Sequence, residues 1–349
     1  MIDPHVHLRD WGQSGAETIV HALGVAVRCG FTHVFDMPNT APCTVSDFQS
    51  LADRLETAEK SKVPGIEYHT YIGLTGKRGQ ALWASEAYDK FFPKAIGLKL
   101  FAGPSTGNLE VSDKASQAMV FRELAESGYK GVLAVHCEDK TLFRSELYDG
   151  FDFSTHSLAR PPESEFKCVE NVIGMAAAHG FGGILHIAHV SCAESVAIIK
   201  RKRLEHSRLR ITFGVTPHHA LLTCEDAKDH SRLLKVNPPL RSLQDRDAVF
   251  GSLLDGTADW IESDHAPHVL SDKVVKGASG LPGFAGYLLL VGALRRAGIS
   301  ENRLKGLICR NAAGAFGIPV SDDDCQIPED LLGLCRTIQA EYGIPAYDL

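Results

Sequence analysis

The sequence predicts a single (β/α)8 barrel, and three observations carry that expectation. Eight short β-forming runs alternate along the chain with longer helix-compatible segments. Most of the runs lack strict polar alternation, as expected of parallel strands covered on both faces. The length of 349 residues accommodates such a barrel with insertions. A doubly wound open sheet is the competing architecture, but the fingerprint G-x-G-x-x-G is absent. Gly73-Leu74-Thr75-Gly76-Lys77 only echoes a phosphate loop, with Tyr71 and Arg78 where Gly and Ser or Thr belong.

The first run is Met1–Val6, and a helix is expected over Ala16–Arg28. The second run, Thr32–Asp36, ends in Met37-Pro38-Asn39-Thr40-Ala41-Pro42, where two prolines impose a loop. Ser46–Lys60 reads as a helix with Ser46 as its N-cap. The third and fourth runs are Glu67–Ile72 and Ala95–Phe101. A helix over Ser112–Ser127 leads to the fifth run, Gly131–Val135. Glu165–His179 is helical before the sixth run, Gly183–Val190, and Ala193–Arg203 before the seventh, Arg210–Val215. Asp245–Leu254 precedes the eighth run, Ala258–Ser263, and two further helices are expected over Leu281–Ala297 and Asn302–Phe316. Residues 1–319 therefore form the barrel, and 320–349 a helical tail containing the helix Pro328–Tyr342. With the first run starting almost at Met1, no accessory β-sandwich is expected.

Composition narrows the function classes. The chain is 44% hydrophobic and 23% charged, as an ordinary globular protein is. A net charge of −7 gives no basic footprint for nucleic acid. Nine cysteines without a C-x-x-C pair argue for reduced thiols and a cytoplasmic location. No signal peptide and no apolar run near the ~20 residues of a membrane helix is visible, so no membrane partner is expected.

Active sites of this architecture lie at the C-terminal ends of the strands. The first run ends in His5 and His7, which alternate with Val6 and so share a face. Arg9 continues that alternation and suits a carboxylate. Lys99 ends the fourth run, His136 the fifth, His189 the sixth and Asp264 the eighth. Neutral imidazoles and a carboxylate suit a divalent metal such as zinc. Lys99 as an ammonium would be repelled by metal ions. Kept neutral by burial, it can add carbon dioxide, and the resulting carbamate can bridge two ions.

These residues carry a resemblance. The chain resembles dihydroorotases of the amidohydrolase superfamily up to about Pro319. The matching stretches are Pro4–Asp10 (PHVHLRD), Met37–Pro42 (MPNTAP), Gly97–Phe101 (GLKLF), Val135–Asp139 (VHCED) and His186–Ser191 (HIAHVS). Val215–His219 (VTPHH), Lys235–Arg241 (KVNPPLR), Ser263–His268 (SDHAPH) and Asn311–Ile318 (NAAGAFGI) extend it. The resemblance implies two divalent ions, zinc by default. His5, His7 and Asp264 would hold the more buried ion, His136 and His189 the other, with carboxylated Lys99 bridging. It implies that Arg9, Asn39 and His268 grip the substrate's α-carboxylate, with Asn237 a further contact. The loop Gly103–Asn108 resembles a lid with Ser105 or Thr106 reaching the substrate, and Gly280–Gly283 could offer backbone groups to the ring. The implied reaction is the reversible cyclisation of N-carbamoyl-L-aspartate to L-dihydroorotate in pyrimidine biosynthesis, by a metal-bridged hydroxide with Asp264 as general acid and base.

Some relatives may carry an extra metal through an acidic residue and a cysteine; Gly214 and Ala188 stand in those places here, so no third metal is expected. His218 and His219 are given structural or supporting roles, and His33, His69, His186, Cys137 and Cys192 packed ones. Arg160-Pro161-Pro162-Glu163 is expected to shape a loop near the mouth. Without a sandwich, exposed barrel surface would suit a homodimer. The competing functions are another cyclic amidase, of dihydropyrimidinase, hydantoinase or allantoinase type, and a non-enzymatic homologue. The Arg9 and Asn39 grip favours an acidic substrate over the first, and the full set of ligands disfavours the second.

Overall fold

The computed structural model describes residues 1–105, 107–229, 231–344 and 346–347. Eight parallel strands follow one another around a single sheet: β1 (Ile2–Val6), β2 (His33–Asp36), β3 (Glu67–Gly73), β4 (Ala95–Phe101), β5 (Val132–His136), β6 (Ile184–Ile187), β7 (Arg210–Val215) and β8 (Trp260–Ile261). The ring closes where Val6 bridges His265 and the His7 N–H donates to the His265 carbonyl at 2.7 Å. This is the predicted (β/α)8 barrel. No second sheet is present among the described residues.

Strands β1, β4, β5 and β6 are buried throughout, which explains why their sequences run apolar without alternation. Phe316 packs edge-on against Phe35 and Tyr71 at centroid distances of 4.8 and 6.1 Å and lies 5.9 Å from Trp260. All four rings are buried.

The element limits shift where side chains compete for the backbone. Ser46 is not the N-cap: Asp47 accepts from the Ser50 N–H at 2.8 Å in a capping box, so the helix runs Phe48–Lys60. A helix over Gln80–Phe91, unassigned from sequence, connects β3 and β4. The sixth and eighth runs are longer in sequence than the strands they form; in the sixth, His189 adopts φ of 40°, which no strand accommodates. Leu281 bridges His265, and the next helix begins only at Gly283, ending at Arg296. The segment expected as one helix over 302–316 is interrupted by a π-turn at Gly306–Arg310. The last helix, Leu331–Tyr342, packs on Gly283–Arg296.

Candidate active site

His5 lies within β1 and His7 one residue beyond it. Their Nε2 atoms stand 3.4 and 3.0 Å from Asp264 Oδ1, so three donors converge as a single divalent ion would require. The opposite nitrogen of His7, Nδ1, donates to Asn39 Oδ1 at 2.8 Å, which fixes the tautomer that leaves Nε2 unprotonated. His136, at the end of β5, is oriented the other way round. Its Nε2 is 3.0 Å from Glu138 Oε2, and its Nδ1 is 3.2 Å from His189 Nε2. The His5 and His189 rings lie 5.2 Å apart and those of His136 and His189 4.9 Å. Burial lowers the pKa of His5 to about 4 and holds His7, His136 and His189 below the usual imidazole value, so all four are neutral donors near pH 7.

Lys99 projects from β4 into the same interior. Its Nζ is fully buried and has no hydrogen-bond partner among the described residues. Burial, against the opposing pull of Glu262 and Asp264, lowers its pKa to about 8. An ammonium left without a partner in such a place is costly, whereas a carbamate would supply two oxygens to metal ions on either side. The orphaned amine and the converging imidazoles thus fit a pair of divalent ions.

The second half of the site is built for an anion. Arg9 does not reach it by strand alternation as expected, because β1 ends at Val6 and Arg9, Asp10 and Trp11 all have positive φ. Buried Asp36 and Arg54 hold this turn: Asp36 Oδ1 accepts from the Leu8 N–H at 2.9 Å, and Arg54 Nη1 donates to the Arg9 carbonyl at 2.8 Å. Arg9 Nε donates to the Pro267 carbonyl at 3.0 Å, and Nη2 lies 3.2 Å from His268 Nε2. Among the described residues no carboxylate lies within 4 Å of its guanidinium, although only 3% of Arg9 is exposed. Burial lowers its pKa only to about 10, so it remains a cation.

Arg9, Asn39, Asn237, Ser105, Ser279 and Gly280 line one pocket with His5, His7, His136, His189 and Asp264. His268 is not in that lining: its Nε2 lies behind it, 3.2 Å from Arg9 Nη2 and 3.0 Å from the Ser279 carbonyl. Asn237 Oδ1 accepts from His156 Nε2 at 2.9 Å, which leaves its amide NH2 as the end for a ligand. Ser105 is at the pocket; Thr106 lies outside the described residues. Gly280 is at the pocket too, but the Gly283 N–H is committed to His265 Nδ1 at 3.2 Å.

Other singled-out residues lie around this centre. His219 is satisfied by Thr216 Oγ1 and the Pro238 carbonyl at 2.7 and 3.0 Å, whereas both ring nitrogens of buried His218 lack a partner among the described residues. His33 and His69 stack and join at 3.1 Å, and His186 stacks on Trp260. Cys137 and Cys192 are buried thiols. Arg160 pairs with Glu138 and donates to the Pro104 carbonyl at 2.8 Å, tying the 103–105 loop to the carboxylate beside His136. Sequence reading missed Glu138, Asp36, Arg54 and Glu262. Glu138 and Glu262 each stand two residues from a singled-out ligand, just past the ends of β5 and β8, and that nearness is the signal that could have found them. Arg54 carries no such signal, since its helix face is set only by packing.

No family model matches the chain. Among curated proteins it is 34% identical to the dihydroorotase of Thermococcus kodakarensis over 92% of this chain and 69% of that protein. It is 32% identical to that of Halobacterium salinarum over 91% and 71%. The dihydroorotase of Bacillus caldolyticus matches at 34% identity, over 81% of this chain and 62% of that protein. The chain thus spans from under two thirds to about 70% of these relatives' lengths. Among solved structures, L-hydantoinase from Arthrobacter aurescens superposes with a TM-score of 0.79 at 22% identity, covering 90% of this chain and 70% of that one. A Saccharomyces cerevisiae dihydroorotase in complex with 5-fluoroorotic acid superposes with 0.71 at 17% identity, covering 93% and 85%. The structural likenesses share the barrel. The sequence likeness, spread over most of this chain, goes further: the chain belongs to the dihydroorotase family.

Proposed function

We propose that this chain catalyses the reversible interconversion of L-dihydroorotate and water with N-carbamoyl-L-aspartate, the ring-closing step of pyrimidine biosynthesis. The observation that carries the substrate assignment is the buried Arg9 guanidinium, which faces the pocket beside His268 and has no carboxylate partner among the described residues. A cation desolvated in this way is stabilised by a ligand anion, and its planar fork suits a carboxylate. Asn39 and Asn237, with Ser105 at the mouth, supply the remaining polar contacts of the same pocket.

His5, His7 and Asp264 would hold one divalent ion and His136 and His189 the other, with Lys99 as N6-carboxylysine between them. Zinc is the default for such donors. When bound, the ions supply an acidified water and a polarised carbonyl. Asp264 would take the proton of the attacking water and deliver it to the ring nitrogen as the amide bond breaks, and would work in reverse in cyclisation. The neighbouring His5, His7 and His218 imidazoles outweigh its burial and hold its carboxyl well below the usual carboxylate range, so it begins ionised. Arg9, Asn39 and His268 fix the α-carboxylate, and so the face of the ring presented to the water.

All nine cysteines are free, in keeping with a reducing cytoplasm. No helix among the described residues is long and apolar enough to cross a membrane. A homodimer completes the proposal. The test is a comparison of substrates on zinc- and bicarbonate-loaded protein. Turnover of dihydroorotate and carbamoyl aspartate, with little of dihydrouracil, is expected; preference for dihydrouracil would move the chain to the neutral cyclic amidases.

A further inference from the structure

Glu262 sits at the C-terminal end of β8, 1% exposed, in the floor beneath the candidate metal centre. One oxygen, Oε1, accepts the backbone N–H of His189. The other, Oε2, accepts from His186 Nε2 at 3.1 Å and lies 3.6 Å from His5 Nδ1. Thr212 Oγ1 is 3.0 Å from His186 Nδ1 and can supply a proton there, which leaves the Nε2 proton of His186 for Glu262. His5 Nδ1 has no hydrogen-bond partner among the described residues and faces this carboxylate, while Nε2 faces Asp264 Oδ1 at 3.4 Å; with a cation between Nε2 and Asp264, the Glu262 field favours the proton on Nδ1.

The room for this carboxylate comes from the neighbouring strand. A Cβ on Gly214 of β7 would stand 2.3 Å from Glu262 Cδ, so any side chain at 214 would displace it. The contact with His189 has a second consequence. His189 has φ of 40°, a conformation costly for a residue with a Cβ. Its N–H is held by a buried anion, a stronger acceptor than a neutral carbonyl.

We infer that Glu262 is a positioning residue for the metal centre: through one carboxylate it sets the tautomer of His5 and the backbone of His189, ligands assigned to different ions. The inference rests on the binuclear reading of the site. A negative field at Nδ1 keeps the proton there and leaves the Nε2 lone pair of His5 for a metal. Glutamine in its place would present an amide that can donate towards Nδ1, favouring the tautomer with its proton on the metal-facing nitrogen. Gly214 is required because the carboxylate reaches its position through the space a side chain there would fill.

The experiment measures zinc stoichiometry and dissociation constants, by chelator competition in bicarbonate buffer, for the parent protein, Glu262→Gln and Glu262→Asp. Melting of each protein after chelation is read alongside. The parent is expected to hold two zinc ions. Glu262→Gln should weaken at least one of them by about 10–100-fold, the usual cost of losing a group that orients a ligand. Glu262→Asp keeps the charge but falls one methylene short of His189 and His5, and should weaken zinc binding to a smaller extent. Parent-like zinc affinity in whichever variant folds overturns the inference, also where melting after chelation falls, because that pattern marks a packing role alone. A parent without two zinc ions overturns the binuclear reading itself and the inference with it; two ions in the parent, bound with the same affinity in both variants, overturn the inference alone.

Discussion

At the scale of single residues, two of the candidate metal ligands have a partner that settles which of their ring nitrogens faces the site. Asn39 does this for His7 and Glu138 for His136, and the outcome is opposite nitrogens turned inward on the two rings. Lys99 Nζ is buried with no hydrogen-bond partner among the described residues. Lys99→Ala should therefore lose the bridging group and with it the second ion, read as a fall from two metals to one by elemental analysis. Asp264→Asn should bring turnover to the edge of detection in both directions, because the amide can neither take nor return the proton; steady-state rates in each direction check this. Arg9→Met should weaken binding of both carboxylate substrates by about 2–5 kcal/mol, the cost of removing one side of a buried charge-assisted pair. That loss would be visible in kcat/KM, with zinc content unchanged.

At the scale of elements, the C-terminal helix is tied to the strand end that carries Asp264. Tyr342, its last residue, donates to Glu17, and Glu17 Oε2 also pairs with His265 Nε2 at 2.8 Å. His265 stacks on Phe284 with centroids 3.9 Å apart. Burial alone would raise the pKa of Glu17, but His265, His21 and Tyr342 outweigh it and bring it to about 2. A carboxylate whose pKa is depressed by folding contributes stability above its unfolded value, near 4.5, and loses it as pH falls through about 2. Glu17→Gln should accordingly flatten the acid side of the melting curve over that window. Tyr342→Phe should cost about 1.5–3 kcal/mol at neutral pH, by denaturant titration, since the lost hydrogen bond goes to a charged acceptor. The element limits show why such ties escape a sequence reading. The helix over 48–60 was legible from its pattern, but its cap moved to Asp47 because Ser50 could answer it from inside the first turn.

At the scale of the whole molecule, the proposed ligands come from β1, β4, β5, β6 and β8, so bound ions would join strands on all sides of the ring. Chelation should then lower the melting temperature of the entire barrel in one transition, and zinc with bicarbonate should restore it. Occupancy at 100–1,000 times the dissociation constant is worth about 3–4 kcal/mol. Two transitions, or an unchanged midpoint, would separate the centre from the stability of the fold.

The sequence by itself determined the barrel, because eight apolar runs separated by helices have few other ways to bury both faces. It also named His5, His7, Lys99, His136, His189 and Asp264 as candidates, because the C-terminal ends of parallel strands meet at one mouth whatever the loops do. Tertiary structure alone decided how those side chains are held. Arg9 reaches the pocket through a left-handed turn fastened by Asp36 and Arg54, not through strand alternation. Glu138 and Glu262 became visible only when β5, β6, β7 and β8 were side by side, because the nitrogens and the cavity that define their roles include groups far away in the chain. Local sequence sets which groups are available at a strand end. The orientation of the His5 and His7 rings depends on a carboxylate or amide from a distant part of the chain, Glu262 or Asn39, which is in place only once the barrel has closed.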